Sequence, residues 1–225
     1  MRRAVVAEGL GSMLLAAAVI GSGIMAQRLT DDSAVALLAN TFATVAALAV
    51  LIAVLAPISG AHFNPAVSLV SYLRGQLTLG TAATYVAAQI VGCCLGAVLA
   101  HAMFELPLLQ AATHARAGFG QFLAEMVATS GVIAVVSAST TPGQAAWRVP
   151  AWIGAAYWFT ASTSFANPAI TLARAFSDTF AGIRAADMPA FMAAQVLGAL
   201  IGLALTRWLF GSATLNRGEA KAAPE

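Results

Sequence analysis

Ser59-Gly60-Ala61-His62-Phe63-Asn64-Pro65-Ala66-Val67 is a polar break in a long apolar run, and its Asn-Pro-Ala returns at Asn167-Pro168-Ala169. Asn is a preferred N-cap and Pro is favoured at the first helical position, so each tripeptide starts a helix. A helix that starts inside a membrane leaves backbone N–H groups pointing at something other than lipid. Two such starts at matching places in the chain imply a pore built between them.

The rest of the chain supplies the membrane. Of 225 residues, 60% are hydrophobic and 9% charged, and the mean hydropathy is +0.83. A soluble domain this small cannot bury that much apolar surface. Six stretches (4–26, 34–56, 80–104, 119–141, 147–164 and 188–210) approach or exceed the ~20 residues that a bilayer core requires. The fifth is the shortest. After each Asn-Pro-Ala only a short half-helix fits, ending near Arg74 and Arg174, and the lead-ins 59–63 and 163–166 read as extended. Non-helical backbone at that depth is tolerated only inside protein or along a water-filled cavity.

Other classes are poorly served. A net charge of +2 is too small for nucleic-acid binding. Cys93 and Cys94 are neighbours and do not face each other on a helix, so neither a disulfide nor a metal framework is readable. No cofactor site is visible, and no cluster of His, Cys or Asp marks an enzyme. Arg2-Arg3 before an apolar stretch resembles a secretion signal, but Glu8 interrupts it and the segment recurs later, so it reads as the first retained helix.

The chain repeats itself. Ala7-Glu8-Gly9 is echoed by Ala124-Glu125-Met126, and Ala88-Gln89-Ile90-Val91-Gly92 by Ala194-Gln195-Val196-Leu197-Gly198. One channel domain over 1–225 therefore divides into repeats at 1–112 and 113–225. Each holds three spans, so the second enters from the opposite face: an inverted repeat. Placing Arg2, Arg3, Arg74, Arg148, Arg207, Arg217 and Lys221 against Arg28, Arg116, Arg174 and Arg184 puts both termini in the cytoplasm. The tail from Gly211 reads as polar and frayed. Glu8 and Glu125 have two readings, a proton relay or an acceptor for adjacent re-entrant backbone; their repeat placement favours the second. Gln89 and Gln195 would tie backbone near the asparagines. His62 has a vestibule role and a structural role open to it. His101 and His114 flank an outer loop. Gly92 with Gly96 and Gly198 with Gly202 permit close helix contact within one subunit.

These motifs together resemble the major intrinsic protein family, the aquaporins and glycerol facilitators, over essentially the whole chain. The resemblance implies an all-α membrane fold of six spans and two half-helices, the aquaporin fold. It implies a homotetramer with a pore in each subunit, small neutral solutes as substrates, and no cofactor. The half-helix N-termini would repel cations at the centre, and each asparagine amide would donate to a passing oxygen. Four filter positions, counted from the asparagines without gaps, fall on Thr44, Ala155, Ser164 and Ile170. Ile170 stands where nearly all members carry Arg, and Thr44 where an aromatic is usual. The filter is then expected to be wide, less polar and free of aromatic or Arg. Without that guanidinium a cation loses a repulsion of ~3 kcal/mol at ~5 Å and an effective dielectric of ~20. Arg174, one turn further along the half-helix, has two readings: a charge moved to the outer mouth, or a side chain reaching the interface.

The resulting expectation is a passive channel in a bacterial inner membrane, carrying glycerol-like polyols, urea-like solutes, neutral metalloid hydroxides such as arsenite, and water. The missing Arg resembles bacterial members linked to arsenic handling. The rivals are a water-selective aquaporin and, from another class, an ion-coupled secondary transporter.

Overall fold

The computed structural model describes residues 1–215, with side chains to residue 211. Arg217 and Lys221, used above for orientation, lie outside the described residues. The protein is all helical: α1 (Arg2–Leu29), α2 (Ser33–Ser59), α3 (Pro65–Leu73), α4 (Leu79–Met103), α5 (Phe119–Ala138), α6 (Pro142–Phe159), α7 (Pro168–Arg174) and α8 (Met188–Leu215). Among the described residues, five helices are long and apolar enough to cross a membrane: α1, α2, α4, α5 and α8 over Met188–Gly211. The sixth, α6, has 18 residues and carries Gln144 and Arg148.

Local chemistry sets the ends. Asp32 caps α2 by accepting from the Ala34 and Val35 N–H groups at 2.8 and 3.1 Å. Thr78 and Thr141 cap α4 and α6, and Pro142 occupies the first turn of α6. That cap moves α6 to begin five residues earlier than expected. Residues 160–164, read as span, instead belong to the lead-in of the second half-helix. Gly60 ends α2 at φ 88°, a left-handed turn that glycine makes without strain.

Two helix pairs carry the framework, α1 on α4 and α5 on α8, with α6 lying against both α2 and α5. Both pairs close through glycine. A Cβ on Gly92 or Gly96 would run into the carbonyl oxygens of Gly9 or Met13 in α1; one on Gly198 or Gly202 would meet those of Met126 or Ser130 in α5. The half-helices sit inside this frame, α3 against α4 and α8, α7 against α4, α8 and α1. The outward surface is apolar: Val35, Leu38, Phe42, Val50, Val54 and Ile58 of α2 are all exposed. A helix that is apolar on its outer face has lipid as its solvent.

The N-terminus and the C-terminal end of α3 share one face, called near. The Arg207 guanidinium of α8 donates there to the Leu73 carbonyl at 2.9 Å. The opposite, far face carries Arg28, which donates to the Phe104 carbonyl at 2.6 Å and lies over its ring.

Candidate pore

The asparagines meet at the centre. The Asn64 side-chain oxygen accepts the Ala66 N–H at 2.9 Å; that of Asn167 accepts Ala169 and Ile170 N–H at 3.0 and 3.3 Å. Their amide nitrogens cross: Asn64 Nδ2 donates to the Ala166 carbonyl at 2.7 Å and Asn167 Nδ2 to the Phe63 carbonyl at 2.8 Å. The sequence reading left both amide hydrogens of each asparagine for solute. One of each pair is committed to joining the half-helices, so one is left.

The lead-ins are not extended, contrary to expectation. Ala61 and Phe63 have φ of 50° and 48°, and Ser164 and Ala166, at the matching positions, 50° and 47°. Thr163, opposite Gly60 in the repeat, also has φ 58°. Alternating left-handed residues turn N–H groups one way and carbonyls the other. Such backbone is strained for residues with a Cβ and persists where partners hold it.

Glutamate supplies those partners. Glu8 Oε1 accepts from Ser59 Oγ at 2.6 Å and His62 N at 2.9 Å; Oε2 accepts from Phe63 N at 2.7 Å and Gln89 Nε2 at 2.8 Å. Glu125 repeats this with Phe165 N and Ala166 N, both at 2.9 Å, and Gln195 Nε2 at 2.6 Å. Both carboxylates are fully buried. Gln89 and Gln195 do not bind backbone as expected. Each spans a glutamate and a half-helix hydroxyl, Ser68 at 2.9 Å or Thr171 at 2.8 Å.

A cavity of about 280 Å³ runs between the faces past both asparagines. Its near end is lined by Arg74, Ser137 and Thr140, and its far end by Tyr157, Phe165 and Arg174. His62 lines it half-buried, with Nδ1 at 3.0 Å from Ser68 Oγ. Thr44, Ser164 and Ile170 also line it.

Ala155 does not, which corrects the sequence reading. It is exposed on the outer side of α6, in a shallow apolar depression with Trp147 and Trp152. The cavity face of α6 is Ala145, Val149, Ile153 and Tyr157. These recur every four residues, and two positions along a helix turn a side chain by about 200°. Counting back from Asn167 assumed a lead-in of the usual length and so fell on the wrong face. The neighbouring Ala156 is buried but is also absent from the cavity wall. Tyr157, which the reading missed, donates from its hydroxyl to Thr44 Oγ1 at 3.4 Å. The wall thus has an aromatic where none was expected. Its signal was available in the 149, 153, 157 periodicity, once α6 is started at Pro142.

Arg174 also stays inside. It is 2% exposed, lies over the Phe165 ring at 3.3 Å from the centroid, and donates through Nε to the Ala181 carbonyl. The alternative of reaching the lipid interface is excluded by that burial. Arg116 joins it from the far loop, 5.0 Å from the same centroid. Its guanidinium donates to the carbonyls of Gly182, Ser162 and Phe180 at 2.9, 3.4 and 3.3 Å, and burial pushes it down to about 10, still charged at neutral pH. Nothing in the sequence singled out Arg116, because a loop has no periodicity to read. Burial and then the Arg116 and Arg174 charges hold His114 below the usual histidine range. His101 is fully buried and clasps the far loops, touching the Leu108 carbonyl and Ser177 Oγ at 2.9 Å each.

No group of three or more His, Cys, Asp or Glu that could hold a metal occurs among the described residues. No Asp or Glu lines the cavity.

Residues 1–161 match the family described as major intrinsic protein. The chain is 55% identical over 211 residues to aquaglyceroporin AqpS of Rhizobium meliloti (strain 1021), covering 93% of this chain and 91% of that one. It is 36% identical over 146 residues to aquaporin TIP1-2 of Zea mays, covering 61% and 56%. The X-ray structure of the aquaglyceroporin from Plasmodium falciparum superposes with a TM-score of 0.72 at 20% identity, over 93% of this chain and 96% of that one. At that identity the likeness speaks for the fold.

Proposed function

The chain belongs to the major intrinsic protein family, and from its cavity wall we propose a passive channel that admits solutes larger than water. It is a multi-pass membrane channel for neutral solutes and not an enzyme. The finer reading concerns which solutes pass. Candidates are glycerol-like polyols and neutral metalloid hydroxides such as arsenite, with water accompanying them.

One observation carries this: Ile170, 4% exposed, sits on the cavity wall directly after the second Asn-Pro-Ala. An aliphatic side chain there adds neither charge nor donors to the neck. A solute that carries apolar surface then loses less hydration on entry without a matching contact. Tyr157 adds an aromatic to the wall that the sequence did not imply, yet Thr44, which its hydroxyl reaches, and Ser164 are small. Selection by fit against a mixed wall suits a polyol, which offers hydroxyls to Tyr157 and carbon to Ile170. The two lone amide hydrogens at the centre, with two helix N-termini, disfavour cations.

An ion-coupled transporter is disfavoured by the cavity chemistry. Ion coupling calls for a carboxylate on the path; no Asp or Glu lines the cavity, and both buried carboxylates are engaged by backbone and side-chain donors. The inverted 3+3 repeat, the cytoplasmic termini, the bacterial inner membrane and a homotetramer belong to this proposal. So does the assignment of Thr44, Tyr157, Ser164 and Ile170 as filter residues.

The test is flux in liposomes for water, glycerol, urea and arsenite, in wild type and Ile170→Arg. Glycerol and arsenite flux should fall about tenfold or more in the variant while water flux persists, since a guanidinium would fill the neck and add a costly desolvation. Equal flux of all four solutes in both proteins would remove the filter assignment.

A further inference from the structure

At the far end of the cavity Arg174 lies on the wall, and Arg116 packs against the same Phe165 ring but off the wall. Both are buried, and the carboxylate that acts on both, Glu125, has its oxygens engaged by N–H donors. The only ion pair among the described residues joins Arg184 to Asp187 at 2.9 Å. Neither guanidinium has a paired carboxylate in contact, and burying charge with only partial compensation is costly, so the pair calls for a ligand or a field role. The two arginines differ in what they have left to give. Arg116 spends every guanidinium nitrogen on loop carbonyls. Arg174 spends Nε on Ala181, and its two terminal nitrogens donate to no group among the described residues. Neither terminal nitrogen is a sealed orphan, and Arg174 lines the cavity, so both open onto it.

The free edge is also held still. Phe165 lies beneath the Arg174 guanidinium and is braced edge-on by Phe191, with centroids 5.1 Å apart. A planar fork fixed on an aromatic ring is pre-organised for a carboxylate, which can accept two parallel N–H bonds. One turn inward Ile170 gives the mixed wall an apolar patch, and Ile153 and Val149 line the same cavity. A ligand that meets both features has a carboxylate head and a short alkyl tail. Glu125 lies behind Phe165 with its oxygens engaged by N–H groups, and His114 and Arg116 add no acceptor on the cavity side.

We propose that Arg174 binds a small monocarboxylate at the far mouth, its head on the free guanidinium edge and its alkyl group against Ile170. The site rests on the reading of the cavity as open to solution at the far face. A bound anion occupies the path of neutral solutes, so carboxylate added on that side inhibits their uptake competitively.

Isothermal titration of the full chain in detergent at pH 7 tests this with propionate, its uncharged isostere propionamide, and sulfate. Propionate should bind wild type at millimolar concentration, with propionamide and the Arg174→Gln variant each about tenfold weaker or more, the scale of a charge-assisted pair. Arg174→Lys should fall between, and Arg28→Gln should match wild type. Equal binding of propionate and propionamide to wild type overturns the proposal without any variant, so a poorly folding Arg174→Gln does not rescue it. Absence of propionate binding overturns it too, and sulfate binding tighter than propionate overturns the monocarboxylate assignment. Glycerol flux measured alongside separates the two readings. Flux that persists without propionate binding sinks this site alone; propionate binding without flux of any solute sinks the channel and leaves the site.

Discussion

The two lead-ins, residues 59–63 and 162–166, have one skeleton and two chemistries. Each is turned by left-handed residues, held by a buried glutamate and closed on the opposite asparagine. Yet His62 on the near side, bonded to Ser68, corresponds to Phe165 on the far side, stacked under Arg174. Ser71 corresponds to Arg174 itself, and Val67 to Ile170. Backbone-holding residues are matched because both halves face the same problem, unpaired N–H groups at mid-membrane. Wall residues are free to diverge because they line the cavity and no lead-in N–H depends on them.

The skeleton's equivalence can be broken at its anchors, where the largest effect is expected. Glu8→Ala and Glu125→Ala each strand two backbone N–H groups, at about 1–3 kcal/mol apiece. Thermal unfolding in detergent should show losses of similar size in both. A loss confined to one half would mean that the two lead-ins are not held alike. Gly92→Val and Gly198→Val come next, since each drives a side chain into a facing carbonyl, at about 1–3 kcal/mol for overpacking. If either melts like wild type, that helix pair has more room than its glycines imply.

Asn64→Ala and Asn167→Ala sharpen the comparison at the centre. Each should cost about 1 kcal/mol for the lost cap and should open a measurable sodium leak in liposomes, because one cross-link and one donor disappear. A leak from only one variant would assign cation exclusion to a single half-helix. The smallest effect belongs to the far side alone. Asp178 accepts the Thr113 N–H at 2.8 Å and its hydroxyl at 2.9 Å, and those bonds hold its carboxyl below the usual range. A depressed carboxylate pKa gives stability present above the unfolded value and lost as pH falls through the folded one. Protection of the Thr113 amide from hydrogen exchange should therefore be constant from pH 8 to 5 and decline below about pH 4. A decline already under way between pH 8 and 5 would overturn this assignment.

Much of this was legible in the chain. The paired Asn-Pro-Ala and Glu…Gln echoes mark the frame, because caps and buried polar groups have few residue types that can serve. Hydropathy alone starts α6 too late, because its first turn is polar; Thr141-Pro142 marks the true start, and the face carrying Tyr157 follows from it. Left-handed φ at Ala61, Phe63, Ser164 and Ala166 was not legible at all, since none is glycine and only the glutamate behind each lead-in makes the turn tolerable.

By itself, then, the amino-acid order determined a membrane-spanning helical channel with two half-helices and an aliphatic residue after the second motif. Periodicity, capping and hydropathy are local properties and need no neighbours. The tertiary structure decided which side of α6 meets the cavity, how the asparagine amides are spent, and that Arg174 turns inward onto Phe165 beside Arg116. Those depend on contacts between residues far apart in the chain, where direction and distance are set by packing.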